Sequence, residues 1–147
     1  VLLGIITGPL SEELGWRGFA LDRLQDRHGP WIATLIIGLF WGLWHLPLFF
    51  IRGTTQYRWG FGSVRFWLFL TASFPLSAIF TSVYNRNNRS ILSAVLLHFT
   101  YNFTLNLVYP FPARILIYET VLLFITAIAL TLGQNNPKSV TPNHDNE

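Results

Sequence analysis

Residues 31–51 read WIATLIIGLFWGLWHLPLFFI, twenty-one positions with no charged side chain unless His45 takes up a proton. A helix needs about 20 mostly apolar residues to cross the hydrocarbon core of a bilayer, and this stretch has that length. It is too long for a strand and lacks the dyad alternation of an outer-membrane barrel. Working outward, four more apolar segments of helical length follow the same logic: residues 1–24, 66–84, 91–109 and 115–132. Polar connections separate them. Asp26-Arg27-His28-Gly29-Pro30 combines helix-stop and helix-start residues. Residues 52–65 form a longer loop in which Tyr57, Trp59 and Phe61 suit the headgroup region. Asn85 to Arg89 is a short polar turn, and Tyr109-Pro110-Phe111-Pro112 ends the fourth segment. The expected fold is all-α: a multi-pass transmembrane bundle of about five helices over residues 1–132. A polar tail, 133–147, carries Pro137 and Pro142 and reads as disordered.

Composition agrees. Apolar residues make up 51% of the 147, and charged residues only 12%, half of the roughly 25% found in soluble domains. Too little polar surface remains to cover a globule in water, so membrane lipid is the expected solvent and the cell membrane the expected location. With no cysteine, disulfides, thiolate metal sites and cysteine nucleophiles are excluded together. The net charge of +3 comes from nine arginines and one lysine spread along the chain. Without a basic run, cationic loops at an anionic membrane surface explain it better than nucleic acid, which is not an expected partner. The chain starts at Val1 and contains no methionine, which reads as part of a longer protein. No basic n-region or small-residue cleavage site marks a signal peptide.

Ionisable side chains at bilayer depth cost several kcal/mol and usually face the bundle interior at functional sites. Three clusters of them stand at helical spacing. In the first, residues 11–18, Glu13 and Arg17 lie four apart and can pair. Glu12, rotated about 100° from Glu13, is left free for other chemistry. In the second, Thr34, Gly38 and Gly42 form a small-residue stripe for close helix packing. His45 continues that face, and Pro47 loosens the helix just beyond it. In the third, His98 and Asn102 share a face with Ala94 and Asn106, Asn106 serving as interhelical glue. Each cluster alone has a bland reading: a solvated salt bridge, a core histidine, polar glue. Together they exceed what glue requires.

No serine sits in a Gly-x-Ser-x-Gly setting and His-Glu-x-x-His is absent. A buried glutamate with a histidine can still activate water. A second histidine and an asparagine can donate to the oxyanion formed when water attacks an amide carbonyl.

In order, Glu12-Glu13-x-x-x-Arg17, Trp41-x-x-x-His45 and His98-x-x-x-Asn102 resemble the CAAX protease and bacteriocin-processing family of intramembrane endopeptidases, also called the Abi family. The resemblance covers residues 9–106, and members normally carry further spanning helices upstream. It implies that Glu12 is the general base, with His45 sharing its water. Glu13, held by Arg17, would shape the site, while His98 and Asn102 stabilise the oxyanion. The family's second motif usually begins with Phe; here Trp41 holds that place, and its expected role is aromatic packing. The implied partner is a peptide or protein substrate. If Zn²⁺ were used, Glu12, Glu13, His45 and His98 would be its ligands. A metal-free site is expected instead, because a metal holding both carboxylates conflicts with a Glu13–Arg17 pair. Two other readings use the same residues: a non-catalytic scaffold or self-immunity protein, and an ion pathway. The second needs polar residues continuing to both faces, and Glu119, near a helix start, is expected to be satisfied by that terminus and by headgroups.

Overall fold

A computed structural model describes residues 5–132; the tail expected at 133–147 lies outside the described residues. All regular structure among the described residues is helical. The chain enters as a rod of alternating pitch. Wide π turns at Ile6–Leu10 and Trp16–Leu21 flank α1 (Ser11–Gly15), and the second runs straight into α2 (Asp22–Trp44). Pro9 lies in the first wide turn, where its missing N–H is one bond fewer to satisfy. Gly29 breaks the rod at φ 75°, ψ 166°, a conformation open to glycine and costly for residues with a Cβ. The apolar stretch containing α1 and α2, Gly8–Phe49, is 42 residues long. Straight, it would reach about 63 Å, twice the roughly 30 Å of a bilayer core. The Gly29-Pro30 break divides it, as the polar turn in the sequence requires.

Beyond α2 come a 3₁₀ turn (Leu46–Phe49), α3 (Thr55–Trp59), α4 (Val64–Arg86), α5 (Ile91–Val108) and α6 (Ala113–Leu132). The 52–65 connection is therefore not a plain loop. Thr54 Oγ1 accepts from the Tyr57 N–H at 3.0 Å and starts α3 inside it. Ser63 and Ser90 cap α4 and α5 in the same way, each satisfying a donor that a helix start leaves orphaned. With α4, α5 and α6, four stretches are long and apolar enough to cross a membrane. The chain is an integral membrane protein with a helical-bundle fold.

The bundle is organised around α4, which packs on α2 and α6. The contact with α2 uses the stripe read from the sequence. Ser73 Oγ donates to the Gly38 carbonyl at 2.9 Å, and Ser77 Oγ donates to the Thr34 carbonyl at 2.9 Å. A Cβ on Gly38 would stand 3.1 Å from Phe74 Cα, and one on Gly42 would stand 2.9 Å from Ser73 Oγ. Small residues thus admit both the backbone approach and the hydroxyl bonds. The outward faces of α5 and α6 expose Leu92, Leu96, Leu107, Leu122, Ile125 and Ile128, as lipid demands.

Gly38→Ile should lower thermal stability in detergent by about 1–3 kcal/mol through overpacking against the α4 backbone. Gly15→Ala, with nothing within 4 Å of the added Cβ, serves as the control and should be neutral or slightly stabilising. Equal melting of both variants would contradict the close α2–α4 approach.

Candidate active site

The end of α2 builds the first part of the site. His45 closes the helix at φ −85°, ψ −8°, and its N–H turns to the Gly42 carbonyl at 3.2 Å. In a continuing helix that N–H would serve the Trp41 carbonyl. The orphaned Trp41 carbonyl lies instead 2.7 Å from His45 Nδ1. A carbonyl only accepts, so Nδ1 carries the proton, and in the neutral ring Nε2 keeps a lone pair. Phe69 braces the ring edge-on at 5.3 Å. The segment expected to run as one helix to residue 51 thus ends as α2 at Trp44, and that end fixes both the direction and the tautomer of His45.

Trp41, one turn earlier, is almost wholly buried, and its role is wider than packing. Its indole Nε1–H donates to Glu12 Oε2 at 2.8 Å. Its ring meets His45 at 5.8 Å and His98 at 5.6 Å, both edge-to-face. Glu12 is thus not free, as the sequence reading had it; one oxygen is held by an indole. A phenylalanine at position 41 could pack there but could not make that bond.

Glu13 points the other way, into the bundle. Arg17 Nη1 lies 2.9 Å from Oε2 and 3.1 Å from Oε1, the latter with hydrogen-bond geometry. Glu13 Oε1 also faces His98 Nδ1 at 2.8 Å. Both members of the Glu13–Arg17 pair are fully buried, and His98 nearly so. The guanidinium lies 4.7 Å from the centre of the Phe80 ring and 5.7 Å from that of Trp41, a cation–π setting. Its Nε and Nη2 find no hydrogen-bond partner among the described residues.

These pieces meet at one cavity of about 320 Å³. Glu12, Trp41, His45, His98 and Asn102 all line it; Glu13 and Arg17 stand behind the wall. Asn106 also reaches the cavity, and its Nδ2 donates to the Asn102 carbonyl of its own helix at 2.8 Å; among the described residues it makes no side-chain bond to a second helix. Three lining residues escaped the sequence reading. Trp59, assigned to the headgroup region, turns inward from α3. Glu119, assigned to a helix terminus and headgroups, accepts from the Tyr101 hydroxyl at 2.5 Å, and both residues line the cavity. Tyr101 stands three residues after His98, and that spacing was the available signal.

One member of the four-residue zinc set is already engaged. Glu13 is occupied by Arg17 and by His98 Nδ1, and no group of three or more His, Asp or Glu among the described residues is arranged to hold a metal. Glu12 and the outer nitrogens of His45 and His98 are the donors that remain.

The family model for the type II CAAX prenyl endopeptidases, Rce1-like, matches residues 1–104. The chain belongs to that family. CAAX prenyl protease 2 of Methanococcus maripaludis is 36% identical over 133 residues, which cover 90% of this chain and 49% of the relative. The chain spans about half the length of that curated relative. Glu12, Glu13, Arg17, Trp41, His45, His98 and Asn102 all fall within the part matched to the Rce1-like family, and Glu119 falls outside it.

Arg17→Met should strip Glu13 of its cation and destabilise the protein by about 3–5 kcal/mol. Adding Glu13→Gln should recover much of that loss, since no unpaired charge stays buried. A double-mutant cycle on thermal or denaturant unfolding measures the coupling; additive losses would argue against the pair.

Proposed function

We propose that this chain carries the hydrolytic site of a membrane-embedded endopeptidase of the cell membrane, cleaving a peptide bond by glutamate- and histidine-activated water. The observation that carries the reading is the convergence of Glu12, His45, His98 and Asn102 on one cavity. The family's name and that of the archaeal relative point to a prenylated C-terminal peptide as substrate, its lipid in the bilayer and its backbone in the cavity.

In this reading a water sits between Glu12 and His45 Nε2. Glu12, steadied by the Trp41 indole, removes a proton from it as the oxygen attacks the scissile carbonyl. The His45 lone pair, aimed by the Nδ1 bond to Trp41, orients the same water. Charge then develops on the carbonyl oxygen. The Asn102 amide can donate to it directly. His98 has its Nδ1 engaged with Glu13, so its Nε2 donates only in the imidazolium form. Arg17, beside the Phe80 and Trp41 rings, keeps Glu13 in place. The proton held by Glu12 passes to the leaving amine as the tetrahedral intermediate collapses. No step is routed through a metal.

Glu12→Gln should lower turnover of a prenylated peptide by about 10²–10⁴-fold, the usual contribution of a general base, with thermal melting unchanged. Trp41→Phe should lose about tenfold, roughly 1.4 kcal/mol, in kcat and little in KM. In a Glu12→Gln background it should lose nothing further, since it acts through Glu12. Full activity in Glu12→Ala would overturn Glu12 as the base, and no turnover by the unsubstituted protein would place the chain with non-catalytic membrane scaffolds.

Prolonged treatment with phenanthroline or EDTA should leave the activity of purified protein intact. Loss that is restored by added Zn²⁺ would overturn the metal-independent step.

A further inference from the structure

The cavity wall carries two carboxylates, Glu12 and Glu119, and neither lysine nor arginine. Behind it, Arg17 is committed to Glu13, so among the described residues no lining lysine or arginine offsets Glu119. The Tyr101 hydroxyl supplies Glu119 with one hydrogen bond to Oε1 and no charge. In surroundings of low dielectric a carboxylate with no countercharge is costly, and the proposed chemistry uses Glu12 but not Glu119. Glu119 belongs to α6, and Tyr101 shares α5 with His98 and Asn102; both line the cavity. Leu105 and Leu116 line it as well, offering apolar surface to an alkyl stem whose tip is charged.

We infer that Glu119, oriented by Tyr101, is a subsite for a basic side chain of the peptide substrate. This rests on the endopeptidase reading for the nature of the ligand. A lysine or arginine there would place its methylenes along the leucines and make a charge-assisted bond to the carboxylate oxygen that Tyr101 leaves open. The family model stops at residue 104, short of Glu119, while the 133 residues aligned with the archaeal relative include it.

The test uses prenylated peptides that are identical except for one position, scanned along the residues flanking the scissile bond, which holds lysine, its uncharged analogue norleucine, or glutamate. Binding is measured by fluorescence anisotropy on protein in nanodiscs, in a Glu12→Gln background that arrests turnover. At one position the lysine peptide should bind about tenfold tighter than the norleucine peptide, and the glutamate peptide weakest. Glu119→Gln, which can still accept from Tyr101, should erase that preference and leave norleucine-peptide affinity unchanged. Equal binding of the three peptides at every position, a preference surviving Glu119→Gln, or no binding of any peptide would overturn the inference. A Glu119-dependent preference in a protein that cleaves none of the peptides would sustain it and reject the hydrolytic reading instead.

Discussion

The Glu13 carboxylate, shared between Arg17 and His98 with no exposure to solvent, is the contact on which the rest of the site depends. Taking a charged pair out of water costs several kcal/mol per ion unless geometry and further hydrogen bonds repay it. Here the repayment is divided: Arg17 supplies charge from the same rod, and His98 supplies a donor from α5. The arrangement holds only if α5 lies where His98 can reach Glu13. That is a demanding constraint on a helix with only Ala94, Val95 and His98 buried along its length. A weakly packed helix is thereby given a fixed register. Asn102, one turn beyond His98, acquires its place in the cavity wall from the same bond.

Neighbouring carboxylates end in different environments because of simple helical geometry. A rotation of about 100° between successive residues sends Glu13 into the bundle and Glu12 to the cavity. Trp41 links the two. Its ring contacts His98, its N–H holds Glu12, and its carbonyl, released by the end of α2, holds His45. The release comes where the His45 N–H turns to the Gly42 carbonyl at the end of α2. A single indole thus spans the two halves of the chemistry, and the stripe of Thr34, Gly38 and Gly42 lets α4 approach closely behind it.

Membership of the Rce1-like family accounts for the motif order, and the cavity adds what the motifs leave out. The matched segment ends before α6, yet α6 supplies Leu116, Glu119 and Thr120 to the cavity.

Sequence alone determined whatever repeats with the helix or follows from solvent: the apolar spans, the Gly29-Pro30 break, the small-residue stripe, the Glu13–Arg17 pair four residues apart and the loosening of the helix near Pro47. These depend on periodicity and local sterics, which a chain carries with it into any fold. Tertiary structure alone decided the bonds from Glu12 to Trp41, Glu13 to His98 and Tyr101 to Glu119, the inward turn of Trp59, and the return of Asn106 to its own helix. Each depends on how separate helices cross and rotate about their axes. That rotation is set by the packing of all of them at once, and no spacing within one segment encodes it.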